Sequence, residues 1–209
     1  MKLILNRRYR GKIEKIPLPA QTGTLTYNGK AQSPAWLNYD SSKMIMSGTT
    51  SSINAGTFTA IFTPKKGCCW QDGSRDAKNV TWRIGKATPV LSLGKTEFDI
   101  CKNYPREDST TISCISDGAY VIQLVSMTNI QISKVEQISS GIKIIANDGW
   151  HNDVEVSVSV SGGILSVIGD TWNMITNIIC TIYTSATANC DQSNICEFVI
   201  HRHGVNAGS

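Results

Sequence analysis

The stretch GTFTAIFTPKKGCCWQDGSRDAKNVTW, Gly56–Trp82, decides how the chain is read. It carries two adjacent cysteines, Cys68 and Cys69, then Trp70 and a polar turn, between two segments that alternate apolar and polar residues. It is either a reactive centre or the hairpin of a β-domain. Phe58, Ala60 and Phe62 share one face of the first segment, with threonines mostly on the other, and Val80, Trp82 and Ile84 share one face of the second. A repeat of two marks a half-buried strand. Neighbouring cysteines in a strand point to opposite faces, which suits a single metal poorly. A reactive thiol needs a cation or helix terminus to depress its pKa, and Lys65 and Lys66 are near in sequence.

The same period recurs on both sides. Upstream, Leu25 and Tyr27 precede an Asn28-Gly29 turn signal, Met44 and Met46 share a side of KMIMSGTT, and SSINAG is a loop cluster. Pro17 and Pro19 end any pairing strand begun before them. GKATPVLSL, Gly85–Leu93, marks a joint after which the pattern restarts. Beyond it STTISCI, AYVIQLVS, NIQISKVEQI, GIKIIAN and DVEVSVSVSGG read as strands separated by turns. The clearest runs from Val154 to Ser161, with four valines on one face and Glu155, Ser157, Ser159 and Ser161 on the other. ILSVIG, NIICTIYTSA and CEFVIHRHG read as closing strands before a Gly/Ser/Asn tail. No helix-period stretch of convincing length occurs, and β-branched residues abound. The fold class is all-β. At 209 residues, 41% hydrophobic and 17% charged, the chain suits one large domain or two small ones with a real core.

The net charge of +4 is concentrated at one end. Residues 1–15 hold Lys2, Arg7, Arg8, Arg10, Lys12 and Lys15 against Glu14, leaving the remainder close to neutral. A basic arm on a neutral body suits nucleic acid, an acidic surface or an acidic partner, and its bland alternative is a solvated first strand. No aromatic stacking series follows it, so no specific nucleic-acid partner is expected. Only LIL separates Lys2 from Asn6, too short for the apolar core of a secretion signal, and no run is long enough to span a membrane as a helix. The expectation is a chain that stays in the compartment where it is made.

The seven cysteines, Cys68, Cys69, Cys101, Cys114, Cys180, Cys190 and Cys196, contain no CxxC pair and are odd in number. They read as reduced, buried or half-buried thiols, although a hairpin could bring Cys190 to Cys196. His201 and His203 share a strand face without an identifiable third ligand, and NDGWHND around His151 lacks the spacing of a calcium loop. No nucleophile elbow or phosphate loop is present. Asp40, Asp72, Asp76 and Glu97 are acids that sequence alone cannot pair. The reading is of no enzyme, no cofactor and no metal.

GTLTYNGKAQSPAWLNYD, SGTTSSINAGTFTAIFTPKKG and CWQDGSRDAKNVTWRIGKA follow one another in an order that resembles a bacterial immunoglobulin-like repeat of phage structural proteins and Gram-positive surface proteins, over Ile16 to about Leu93. The resemblance implies that Trp70 is a packing residue and answers the opening question in favour of the hairpin. From Thr88 to Gly162 the chain looks like the group 2 bacterial Ig-like family, more loosely, from ATPVLSLGKTEFDI to VEVSVSVSGG. Residues after about 163 match no named family. The expected organisation is a basic arm at 1–15, tandem antiparallel Ig-like β-sandwiches at 16–87 and 88–203, the strands after 163 being unassigned, and a tail at 204–209.

The resemblance implies a virion accessory protein of a tailed phage, of capsid-decoration or fibre type, assembled in the bacterial cytoplasm. Its partners would be other virion proteins of capsid or tail, host-surface glycans and copies of itself, with no membrane. The arm residues listed above would anchor it. The alternative is a bacterial surface adhesin module, and an enzyme or metal protein using the Cys/His positions ranks last.

Overall fold

A computed structural model describes residues 12–101, 106–147, 154–169 and 176–203. The chain divides into two compact units, Met1–Lys86 and Ala87–Ser209. The joint falls between Lys86 and Ala87 because the Ala87 backbone already belongs to the second unit. Its N–H donates to the Asn189 carbonyl at 3.0 Å, and its carbonyl accepts from Asp191 N at 2.8 Å.

The first unit contains β1 (Glu14–Ile16), β2 (Ala20–Thr22), β3 (Leu25–Thr26), β4 (Ala35–Leu37), β5 (Met44–Gly48), β6 (Gly56–Pro64), β7 (Cys68–Trp70) and β8 (Lys78–Gly85). Its main sheet has the order β3-β8-β6-β5. The long hairpin of β6 and β8 pairs from Gly56 with Ile84 to Phe62 with Lys78, as the alternation predicts. The small pairs β1-β7 and β2-β4 complete the layers around the core. Ala60, Phe62, Trp82 and Ile84 are buried with Ile16, Met44, Cys68 and Trp70, and Leu25, Tyr27, Trp36, Tyr39, Met46, Phe58 and Val80 pack around them. Phe62 meets the Trp36 ring edge-on at 5.0 Å, and Phe58 lies 4.7 Å from Trp82.

The second unit contains β9 (Ser92–Leu93), β10 (Glu97–Cys101), β11 (Glu107–Ser113), β12 (Tyr120–Met127), β13 (Gln131–Ile138), β14 (Gly141–Asn147), β15 (Val154–Ser161), β16 (Ile164–Gly169), β17 (Thr176–Thr184) and β18 (Cys196–His203). A sheet ordered β10-β18-β17-β12 stacks on one ordered β13-β14-β15-β16-β11-β9. Phe98, Ile122, Ile178, Ile182 and Phe198 from one sheet bury against Ile142, Ile144, Val156, Val158, Leu165 and Val167 from the other. The strands after residue 163, unassigned by sequence, include β17 and β18 at the centre of one sheet, so they finish the second sandwich.

The sheets are not wholly antiparallel. β1 on β7, β3 on β8 and β10 on β18 run parallel. Each of these pairs joins strands far apart in the chain, the long connection that parallel pairing requires.

Candidate functional site

The Gly56–Trp82 stretch is held together as a packing unit. Between β6 and β8 the chain makes an excursion that carries β7 against β1, with Ile16 opposite Trp70. Trp70 is 1% exposed, and its indole Nε1 donates to the Asp76 carbonyl at 2.8 Å. The turn closes with Gly73 N donating to Trp70 O and Trp70 N donating to Ser74 O, both at 2.9 Å. Gly73 occupies the left-handed region (φ 86°), where a residue without Cβ is unstrained. Lys78 lies 5.9 Å over the Trp70 ring and pairs with Asp72. Cys68 and Cys69 are both buried, Cys68 in the core beside Trp70.

The acids noted in the sequence serve turns. Asp40 Oδ1 accepts from Ser42 Oγ at 2.6 Å and from Ser42 N at 2.8 Å, and Asp72 accepts from Ser74 in the same way. The Ser42 bonds hold the Asp40 carboxyl below its usual range, and Lys78 followed by Ser74 holds Asp72 well below it. Asp76 contributes its carbonyl to Trp70, and Glu97 lies in β10 opposite Val199. An open cavity of about 390 Å³ lined by Gln21, Thr24 and Arg83 carries no acid–base pair, and Gln21 is committed to the Arg83 backbone at 2.9 and 3.1 Å.

The thiols of the second unit gather in a way their spacing did not show. Ser113 pairs with Ser92, which places Cys114 beside Leu91, and the Cys196 thiol lies 3.2 Å from the Leu91 carbonyl. Burial pushes the Cys114 thiol up, the Thr184 hydroxyl opposes this, and Cys190 and Cys196 add to the rise. Burial alone pushes Cys180 up to about 12. Both shifts keep a thiol protonated, the opposite of activation. Cys68, Cys69, Cys114, Cys180, Cys190 and Cys196 are free. The His201 Nδ1 is 3.0 Å from Asn177 Oδ1. Cys101 and His203 are described by backbone alone, and His151 lies outside the described residues. Among the described residues no group of three His, Cys, Asp or Glu could hold a metal ion.

The basic end is the remaining candidate. Lys2, Arg7, Arg8 and Arg10 lie outside the described residues. Lys12 stands just ahead of β1, and Lys15 lies within β1 opposite Cys69, so the expected arm at 1–15 runs into the folded unit. Glu14 N donates to Gly67 O at 2.9 Å, fixing the root of the arm on the β6–β7 turn. Lys43 forms an ion pair with Glu14 at 2.6 Å, and Lys65 N donates to the Lys43 carbonyl at 2.8 Å. Glu14 raises the Lys43 pKa, chiefly through the hydrogen bond between them. The backbone pairings thus bring the Lys12, Lys15, Lys43, Lys65 and Lys66 positions near the root together with Glu14 and Asp40, five positive charges against two negative. Of these, Lys43 is paired to Glu14, and the Lys65 Nζ donates to the Ser41 carbonyl. Sequence reading placed only Lys12 and Lys15 in this group. The β1–β7 and β5–β6 pairings, which bring in Lys43, Lys65 and Lys66, had no local signal.

Residues 6–83 match the family model described as "Putative Ig domain". No curated protein matches the chain. The matched segment spans all eight strands of the first sheet system except the last residues of β8, and it begins inside the basic stretch. The first unit is thus similar to an Ig-like domain over these residues, and its all-β sheets are consistent with that likeness.

Proposed function

We propose that the chain is a non-enzymatic virion accessory protein of a tailed phage, of capsid-decoration or fibre type. In this reading its Ig-like first unit attaches to an acidic surface of the particle through the basic arm, and its outer faces meet other surfaces or glycans. The observation that carries the reading is the clustering of Lys12, Lys15, Lys43, Lys65 and Lys66 where the arm enters the fold. A concentrated positive field at the base of a tether speeds encounter with an acidic partner and orients it. The exposed threonines of β6 and β8, Thr57, Thr59 and Thr81, offer hydroxyls suited to glycan contact.

The test is a chain lacking residues 1–12. The cut stops there because Glu14 begins β1. The truncated protein is expected to keep its β circular dichroism and to lose incorporation into particles. Full decoration by the truncated protein would overturn the anchoring role.

A further inference from the structure

Strand β13 is the outermost strand of the six-stranded sheet, and among the described residues it pairs with β14 alone. Gln131 through Val135 are all exposed. The edge also carries apolar side chains that a solvated edge does not need. Ile132 is 39% exposed and Val135 41%, and Val125 on β12, the edge strand of the opposing sheet, is 56% exposed. β12 packs against β13 and β14, so these residues lie along the same side of the second unit. A bare edge of this kind is a template for a further strand.

The sequence of β13 identifies the strand that fits. Written antiparallel to itself about Val135, Gln131–Ile138 places Val135 opposite Val135, Lys134 opposite Glu136, Ser133 opposite Gln137 and Ile132 opposite Ile138. Every pair is matched in character. Lys134 and Glu136 form an ion pair of 2.6 Å within the strand, so both charges lie on one face, and a partner strand would alternate with them in sign.

We propose that two copies of this chain pair through β13, antiparallel and centred on Val135, joining their six-stranded sheets into one. A two-fold contact of this type uses the same edge on both copies and leaves none for a third. The register between β13 and β14 shifts between Ile132 and Lys134, a bulge at Ser133 that leaves Lys134–Glu136 as the regular centre of the contact, with the Ser133–Gln137 and Ile132–Ile138 pairs at its distorted flanks. That bulge blunts the edge against open-ended stacking, so the pairing stops at a dimer. The inference does not rest on the virion reading, since association in solution and incorporation into particles are separate measurements.

Sedimentation equilibrium of the full chain over a wide concentration range tests it, with charge variants on the exposed strand and circular dichroism as the check on folding. Wild type is expected to show a reversible monomer–dimer equilibrium. Lys134→Glu and Glu136→Lys should each raise the dimer dissociation constant by about tenfold, because two attractive cross-strand contacts become repulsive. An equimolar mixture of the two variants should associate at least as well as wild type, and the doubly swapped K134E/E136K chain should dimerise like wild type. A wild type that stays monomeric at every concentration overturns the proposal, as do single variants that associate normally or a mixture that fails to recover.

Discussion

Replacing Trp70 with alanine tests whether the Cys68–Trp82 excursion is architecture or chemistry. Trp70 is 1% exposed in the core of the first unit. Burying roughly 200 Å² of an indole at about 25 cal/mol per Å² stabilises by about 5 kcal/mol as an upper bound. Measured large-to-small truncations of this type cost about 3–5 kcal/mol. The Nε1 bond to the Asp76 carbonyl adds about 1 kcal/mol to what is lost. With a urea slope of about 1 kcal/mol per M for a small unit, the midpoint of the first unit should fall by about 3 M or more. Trp70→Phe keeps most of the ring but removes the donor and should cost about 1–2 kcal/mol. Far-UV circular dichroism of the full chain against urea reads both variants. A W70A midpoint within about 0.5 M of wild type would show that the indole does not hold the unit together, and the packing account of this stretch would fail.

The turn carboxylates predict the acid limb of stability. Asp72 is held below the ordinary carboxylate value of 3.8 by Lys78 and Ser74. Its contribution is therefore full above that value and is lost as pH falls through the lower folded value. Asp72→Asn should flatten the stability curve below pH about 4 and leave its slope near neutrality unchanged, read from urea midpoints across the acid range. Gly141→Ala should disrupt the β14–β15 ladder, because an added Cβ would lie 1.9 Å from the Val158 carbonyl oxygen; a loss of about 1–3 kcal/mol in urea unfolding is expected. Cys180, raised from 9.0 to about 12, should carry on the order of a thousandfold less thiolate than a free thiol. Iodoacetamide labelling at pH about 8, mapped by mass spectrometry, should leave it unmodified until the chain is unfolded, whereas the half-exposed Cys196 reacts earlier.

Sequence carried the fold wherever the signal was local. The alternation of Phe58, Ala60 and Phe62 against Val80, Trp82 and Ile84 returned as the β6–β8 hairpin, and the valines of β15 at 156 and 158 are buried as their period requires. Pairing between distant segments was not legible. Nothing in EKI foretells that it lies parallel to CCW, because the hydrogen bonds that join them are backbone groups common to all residues. For the same reason the convergence of Lys43, Lys65 and Lys66 on the arm root stayed hidden, as did the approach of Cys114 to Cys190 and Cys196. The bridge from Ala87 to Cys190, which ties the start of the second unit to its far strands, leaves no mark on either side chain. Asp40 and Asp72 were visible only as surface acids; the serine two residues after each was the signal of a self-satisfied turn.

Cryo-electron microscopy of particles from the source, with and without residues 1–12 of this chain, tests the central claim most directly. The account predicts density for β-sandwich units on head, neck or tail, seated with the lysine-rich end of the first unit against an acidic surface and absent once the arm is deleted. Particles that lack the chain altogether, or that retain it unchanged without the arm, would contradict the account.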